Sequence, residues 1–172
     1  MSEKKAKGVV LKGYLKFVKR KWGFQGMEEV MKYAGIEELP YDSQWLPVEV
    51  FDRTLEWIRI NKGMDMVTEA ARFSAKDLGI FVHLFTSVMG IESLLKRSQE
   101  TYPMMFNYGE MIIEKDGKKA EVLLKGVVTS ESICKAWKGG LIGLLELSRN
   151  NGTVEELPTD NPEDCRYVIK WD

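Results

Sequence analysis

The sequence predicts an α+β fold: an N-terminal helical layer packed on a four-stranded antiparallel sheet, with a glycine-rich helix set between two hairpins. Three observations carry this. Apolar residues recur at helical spacing through the first part of the chain, hairpin signals cluster after Pro103, and a helix-periodic segment with Gly139, Gly140 and Gly143 separates those hairpins. Each interior glycine costs a helix roughly 1 kcal/mol against alanine, so close packing has to offset about 3 kcal/mol there.

In the helical part, Val10, Leu11, Tyr14, Leu15, Phe17, Val18 and Trp22 make one apolar stripe over residues 9–22, with lysines between them. Gly23 ends that helix, and residues 25–34 repeat the pattern with Met27, Val30, Met31 and Tyr33 before Gly35 stops it. Residues 37–47 contain Pro40 and Pro47 and form a loop. A helix follows over residues 48–60, closed by Asn61, Lys62 and Gly63. The longest candidate opens at Asp65 and carries Val67, Ala70, Ala71, Ser74, Leu78, Phe81, Leu84, Phe85 and Val88 on one face, with Gly79 a point of division. Gly90 bends the chain into a helix over 91–99, and Pro103 is expected to end helical structure.

Strands are expected over 105–115 and 118–128, with Asp116-Gly117 as a type I′ turn. Ala120, Val122, Leu124 and Gly126 alternate with less apolar neighbours, marking the buried face. Thr129 or Ser130 is the expected cap of the glycine helix, which runs over 129–149. Asn150-Asn151-Gly152 turns the chain into a second hairpin, strands 153–157 and 165–171. A single domain over 1–172 accounts for everything: a flexible basic tail at 1–7, a helical part at 8–102 and the hairpin-helix-hairpin part at 103–172.

A content of 44% hydrophobic and 30% charged residues is that of a globular chain, which sets aside the disordered class. No apolar run reaches the roughly 18 residues of a membrane span, and the start lacks the apolar segment of a signal peptide, so a cytoplasmic location is expected. Cys134 and Cys165 are then expected to be buried structural thiols, since two cysteines make no disulfide framework and fall short of four zinc ligands. No metal is expected. The net charge of -1 hides a basic start: Lys4, Lys5, Lys7, Lys12, Lys16, Lys19, Arg20 and Lys21 against Glu3 within residues 1–21. The aromatics there fall on the apolar stripe instead of alternating with the lysines, so a solvated helix face is expected and nucleic acid is not.

Two stretches resemble a known superfamily. Lys7-Gly8 through Tyr14, Trp22-Gly23 and Met27 to Gly35 are similar in layout to the first helices of heme-nitric-oxide/oxygen-binding (H-NOX) domains. Cys134-x-x-Trp137-x-x-Gly140-x-x-Gly143-Leu-Leu-Glu146 with Asp164-Cys165-Arg166-Tyr167 resembles the end of 4-vinyl reductase domains, and subunits of the TRAPP transport complexes share the superfamily. The resemblance implies a ligand-binding domain. H-NOX domains ligate heme through a histidine on the helix before the sheet, yet Met89-Gly90-Ile91-Glu92-Ser93-Leu94-Leu95 contains none. The family's Tyr-x-Ser-x-Arg clamp would fall at Glu131, Ile133 and Lys135. His83, the single histidine, lies one helix too early and fits a surface position better than an axial ligand. No cofactor is expected, heme included.

No nucleotide-binding glycine loop, zinc-protease motif or nucleophile-base pair is present, so an enzyme is not expected. The expected function is a heme-free sensor or carrier domain in signalling that binds a small apolar ligand. Its pocket would be lined by Phe81, Leu84, Phe85, Val88, Met89, Leu94, Met105, Trp137 and Leu141, with Gly139, Gly140 and Gly143 allowing close approach to the helix. A homodimer or a partner signalling protein would read its occupancy. The rival is a TRAPP-like scaffold or adaptor forming homo- or hetero-oligomers through helices such as 9–22. A vinyl-reductase activity rests on the name of the related domain alone.

Overall fold

The structure, a computed structural model, describes residues 3–78 and 89–172. Its elements run β1 (Lys5–Lys7), α1 (Gly8–Ala34), β2 (Trp45–Pro47), α2 (Val48–Lys62), α3 (Met64–Lys76), α4 (Ile91–Met105), β3 (Glu110–Asp116), β4 (Lys119–Lys125), α5 (Ile133–Leu147), β5 (Gly152–Leu157) and β6 (Cys165–Trp171). This is the α+β architecture expected, with an antiparallel sheet ordered β3-β4-β6-β5.

The core follows from two periodicities. On α1 the stripe led by Leu11, Leu15 and Val18 is buried against α2 and α3. In the sheet, Ala120, Val122 and Leu124 face Ile169, Tyr167 and Cys165 across β4 and β6, all buried. Glu121 and Arg166 hold the other face, joined at 2.9 Å. Helix α5 lies between these halves: it packs along α3 on one side and touches β5 and β6 on the other. Gly23 bends α1 where the sequence divides it, at φ 73°, and Gly35 caps it in the left-handed region.

Several expectations are corrected. Residues 5–7 are no loose tail. They pair with β2 and bury Ala6, and Asn107 fixes the strand by accepting from the Lys5 N–H at 2.6 Å. Pro103 does not end the helix, which continues to Met105. It forfeits one backbone bond in the last turn, where the buried Tyr102 ring packs on Phe106 at 5.0 Å. Asp116 pairs with Lys119, so the turn residues are Gly117 and Lys118 with positive φ at Gly117, the type II′ pattern. Helix α5 starts at Ile133 after Ser132. The Thr129 hydroxyl expected to cap it donates to Asp52 at 2.8 Å instead.

The largest correction concerns the cysteines. Cys134 and Cys165 form a disulfide with Cα atoms 5.6 Å apart, tying the first turn of α5 to the first residue of β6. Tyr167, fully buried beside it, donates its hydroxyl proton to the Cys134 carbonyl at 2.6 Å. The expected thiols are therefore absent, and no group of three or more potential metal ligands occurs among the described residues.

Candidate functional site

A cavity of about 170 Å³ lies between the helical layer and α5, closed at one end by α4 and the start of β3. Its walls follow from helix faces. Tyr14 and Val10 come from the apolar stripe of α1, while Ser98, Thr101, Tyr102 and Met105 follow the i, i+3, i+4, i+7 face of α4. Trp137, Leu141 and Leu144 line the cavity from α5. Aromatic rings build one end: Tyr102, Phe106 and Trp137 meet with centroids 5.0 to 5.8 Å apart, and Tyr108 stands edge-on to Phe106 at 6.0 Å.

The glycines of α5 divide into two roles. A methyl at Gly139 would sit 2.2 Å from the Thr68 carbonyl oxygen, and one at Gly143 would sit 2.7 Å from that of Arg72. These two glycines let α3 approach, so their neighbour is a helix of the same chain. Gly140 differs: among the described residues nothing stands within 4 Å of its added methyl, and it belongs to the cavity wall.

Most polar groups on the wall are already engaged. The Ser98 and Thr101 hydroxyls donate to the carbonyls of Leu94 at 2.8 Å and Arg97 at 2.9 Å, and Ser74 reaches the Val10 carbonyl at 3.4 Å. Tyr102 donates to the Tyr108 carbonyl at 3.0 Å. The Tyr14 and Tyr108 hydroxyls have no hydrogen-bond partner among the described residues, and the buried Trp137 indole N–H has none either. Burial pushes the pKa of Tyr14, Tyr102 and Tyr108 upward, and at Tyr108 the nearby Tyr102, Asp52 and Tyr14 add to that rise. All three phenols are protonated at neutral pH. No charged side chain is among the described residues of the wall.

Of the pocket residues expected from sequence, Met105, Trp137 and Leu141 lie on this wall, as does Gly140. Leu94 is buried on α4 but does not line the cavity, and Met89 is half-buried away from it. Phe81, Leu84, Phe85 and Val88 lie outside the described residues, as does His83. The tyrosines were missed as site residues. Their signal was a phenol inside an otherwise apolar stripe, at Tyr14, and two phenols flanking the proline of α4.

The described wall does not fit heme. It offers no imidazole or thiolate, its phenols are held neutral, and it has no cation for the propionates. The positions matching the propionate clamp are engaged elsewhere: Glu131 pairs with Arg59 at 2.7 Å, Lys135 with Glu156 at 2.5 Å, and Ile133 is apolar lining.

Solved structures share this fold. An oxygen-binding H-NOX domain related to soluble guanylate cyclases, in its oxygen complex, superimposes with a TM-score of 0.77 at 14% identity, covering 96% of this chain and 94% of that one. An H-NOX protein from S. oneidensis in the Fe(II)NO state gives 0.77 at 12% identity, with 96% and 99% covered. The F78L variant of Tt H-NOX gives 0.77 at 14%, with 96% and 94% covered. The chain has the H-NOX fold. No family model matches the sequence, and no curated protein does. The neighbours support the H-NOX part of the sequence resemblance and do not bear on its 4-vinyl reductase and TRAPP parts.

Proposed function

We propose that this chain is a heme-free sensor or carrier domain that holds a small apolar ligand in the cavity between its helical layer and α5. The observation that carries this reading is an apolar cavity of about 170 Å³, lined from α1, α2, α3, α4 and α5, in a fold whose solved neighbours include an oxygen-binding domain. A cavity of about 150 Å³ in another protein stays dry and takes benzene or xenon, so the space suits a guest of that order.

Helix α5 is the element that would pass occupancy on. Trp137, Leu141 and Leu144 face the guest, Gly139 and Gly143 lock the same helix to α3, and Cys134 fastens it to β6. A guest that moves the indole therefore loads both the helical layer and the sheet. A homodimer contact or a partner signalling protein would read that displacement. The scaffold alternative is disfavoured because the apolar stripe of α1 it would use is spent inside the chain.

Soaking the purified protein with hydrocarbons and single-ring compounds, then recording native mass spectra and melting curves, tests the proposal. A guest at a hundred times its Kd should add about 2.7 kcal/mol of stability. A full panel with no adduct and no melting shift would remove the ligand reading. Hemin provides a separate check: reconstituted protein is expected to show no sharp Soret band of histidine-ligated iron. A clean band that vanishes in His83→Ala would overturn the heme-free assignment.

A further inference from the structure

The cavity carries a chemical preference, and this inference rests on the ligand-cavity reading above. We propose that it selects a neutral molecule about one aromatic ring in size that carries a hydrogen-bond acceptor such as a carbonyl, with the Tyr14 and Tyr108 hydroxyls as its donors.

The argument is one of unspent valence. Around this chamber the serine and threonine hydroxyls and the Tyr102 hydroxyl are committed to backbone carbonyls, so they neither attract nor orient a guest. No hydrogen bond engages the Tyr14 or Tyr108 hydroxyl among the described residues, and on the same wall the Trp137 indole N–H is buried without a partner. Buried polar groups in folded proteins are overwhelmingly paired, and each exception calls for an account. The indole is a buried donor left unpaired, and the two half-buried phenols on the same apolar wall can each donate as well, so donors gather there beside no backbone or side-chain partner of their own among the described residues. A pure hydrocarbon leaves that surplus in place, whereas a ketone, aldehyde or ester satisfies it.

Charge narrows the class further. With no charged side chain on the described wall, a carboxylate or an ammonium would enter an apolar chamber without a counter-ion. Burial keeps the phenols protonated, so they act as donors towards a neutral oxygen and supply no negative charge to hold a cation. Size adds a preference: about 170 Å³ suits one ring with a short substituent.

Toluene, acetophenone and benzoate form a matched set of probes, measured by calorimetry at neutral pH on the intact protein, Tyr14→Phe, Tyr108→Phe and the double variant. Acetophenone is expected to bind about threefold to tenfold more tightly than toluene, the range of one neutral hydrogen bond, and benzoate is expected not to bind. Each phenylalanine variant should erode the preference for acetophenone, and the double variant should abolish it, while toluene affinity stays level and shows the cavity intact. Equal affinity for toluene and acetophenone in the unmodified protein would overturn the inference and leave the cavity reading standing, as would a preference that survives the double variant. Failure of all three probes would take down both.

Discussion

Replacing Gly139 and Gly140 by alanine, one at a time, separates two adjacent positions that sequence alone treats as equivalent. At Gly140 no described residue lies within 4 Å of the new methyl, so the variant gains helix propensity, about 1 kcal/mol. At Gly139 the methyl would lie 2.2 Å from the Thr68 carbonyl oxygen and 3.0 Å from the Ala71 Cβ. Carbon–oxygen contacts settle near 3.3 Å or beyond, so α3 and α5 must separate by about 1 Å. A gap of that size forfeits up to about half of the dispersion along the interface, and overpacking of this kind costs about 3 kcal/mol at its upper end. Subtracting about 1 kcal/mol of propensity leaves Gly139→Ala about 2 kcal/mol less stable. For a chain of this length that is a Tm about 4 to 8 °C lower, against a rise of about 2 to 4 °C for Gly140→Ala. Thermal and urea unfolding followed by circular dichroism measures both. If Gly139→Ala is as stable as the parent, the close approach of α3 is wrong. If Gly140→Ala is destabilised, the space beside it is filled.

Two other perturbations follow from the links around α5. Reducing the Cys134–Cys165 bond frees a loop with a sequence separation of 31. Chain entropy then puts the loss at about 3 to 4 kcal/mol, so unfolding free energies from urea titrations with and without reductant should differ by that amount and the midpoint should fall with reductant. A midpoint that ignores reductant, with free thiols confirmed by alkylation and mass spectrometry, would show that the bond contributes little. Glu146 bridges Arg72 and Lys76 of α3; burial alone would raise its pKa, but the hydrogen bonds from those two cations prevail and lower it below its ordinary 4.5. Its contribution is therefore complete above pH 4.5 and is lost as pH falls through the depressed folded value. Glu146→Gln should cost roughly 1 kcal/mol at pH 7 and flatten the acid limb below pH 4.5. An acid limb as steep in the variant as in the parent would assign that loss to other carboxylates.

Most of the fold was legible because it depends on local rules. The 3.6 period marked α1, α2 and α5, Gly23 and Gly35 marked a bend and a stop in α1, and the alternation at Ala120, Val122 and Leu124 marked the buried face of β4. What escaped depended on partners distant in sequence. Lys5–Lys7 is too short to show a period, and it is a strand because β2 and Asn107 lie beside it. The disulfide depended on where α5 meets β6, which no spacing of two cysteines reveals. Pro103 belongs with these: the helix runs two residues past it, in a turn whose Tyr102 ring packs on Phe106 and Trp137, both later in the chain.

The site was less legible than the fold, and Tyr14 shows why. On sequence it belongs to the same stripe as Leu11, Leu15 and Val18, and a stripe residue is core by default. Its difference appears only in what surrounds it: its neighbours on the stripe are fully packed, whereas its ring lines the cavity and its hydroxyl has no hydrogen-bond partner among the described residues. Hydrophobic periodicity predicts which side of a helix turns inward; it carries no information on whether side chains from the opposite elements fill the space reached. Gly140 makes the same point from the other side. It shares helix and residue type with Gly139, and one faces the Thr68 carbonyl while the other has no described residue within 4 Å of an added methyl. A pocket in this fold is thus specified by how large and small side chains meet across it: Gly140 and Ala136 stand beside Trp137 on α5, and Ser98 and Thr101 beside Tyr102 on α4. The unpaired phenols are the one part of that arrangement with chemistry enough to have been suspected from the sequence.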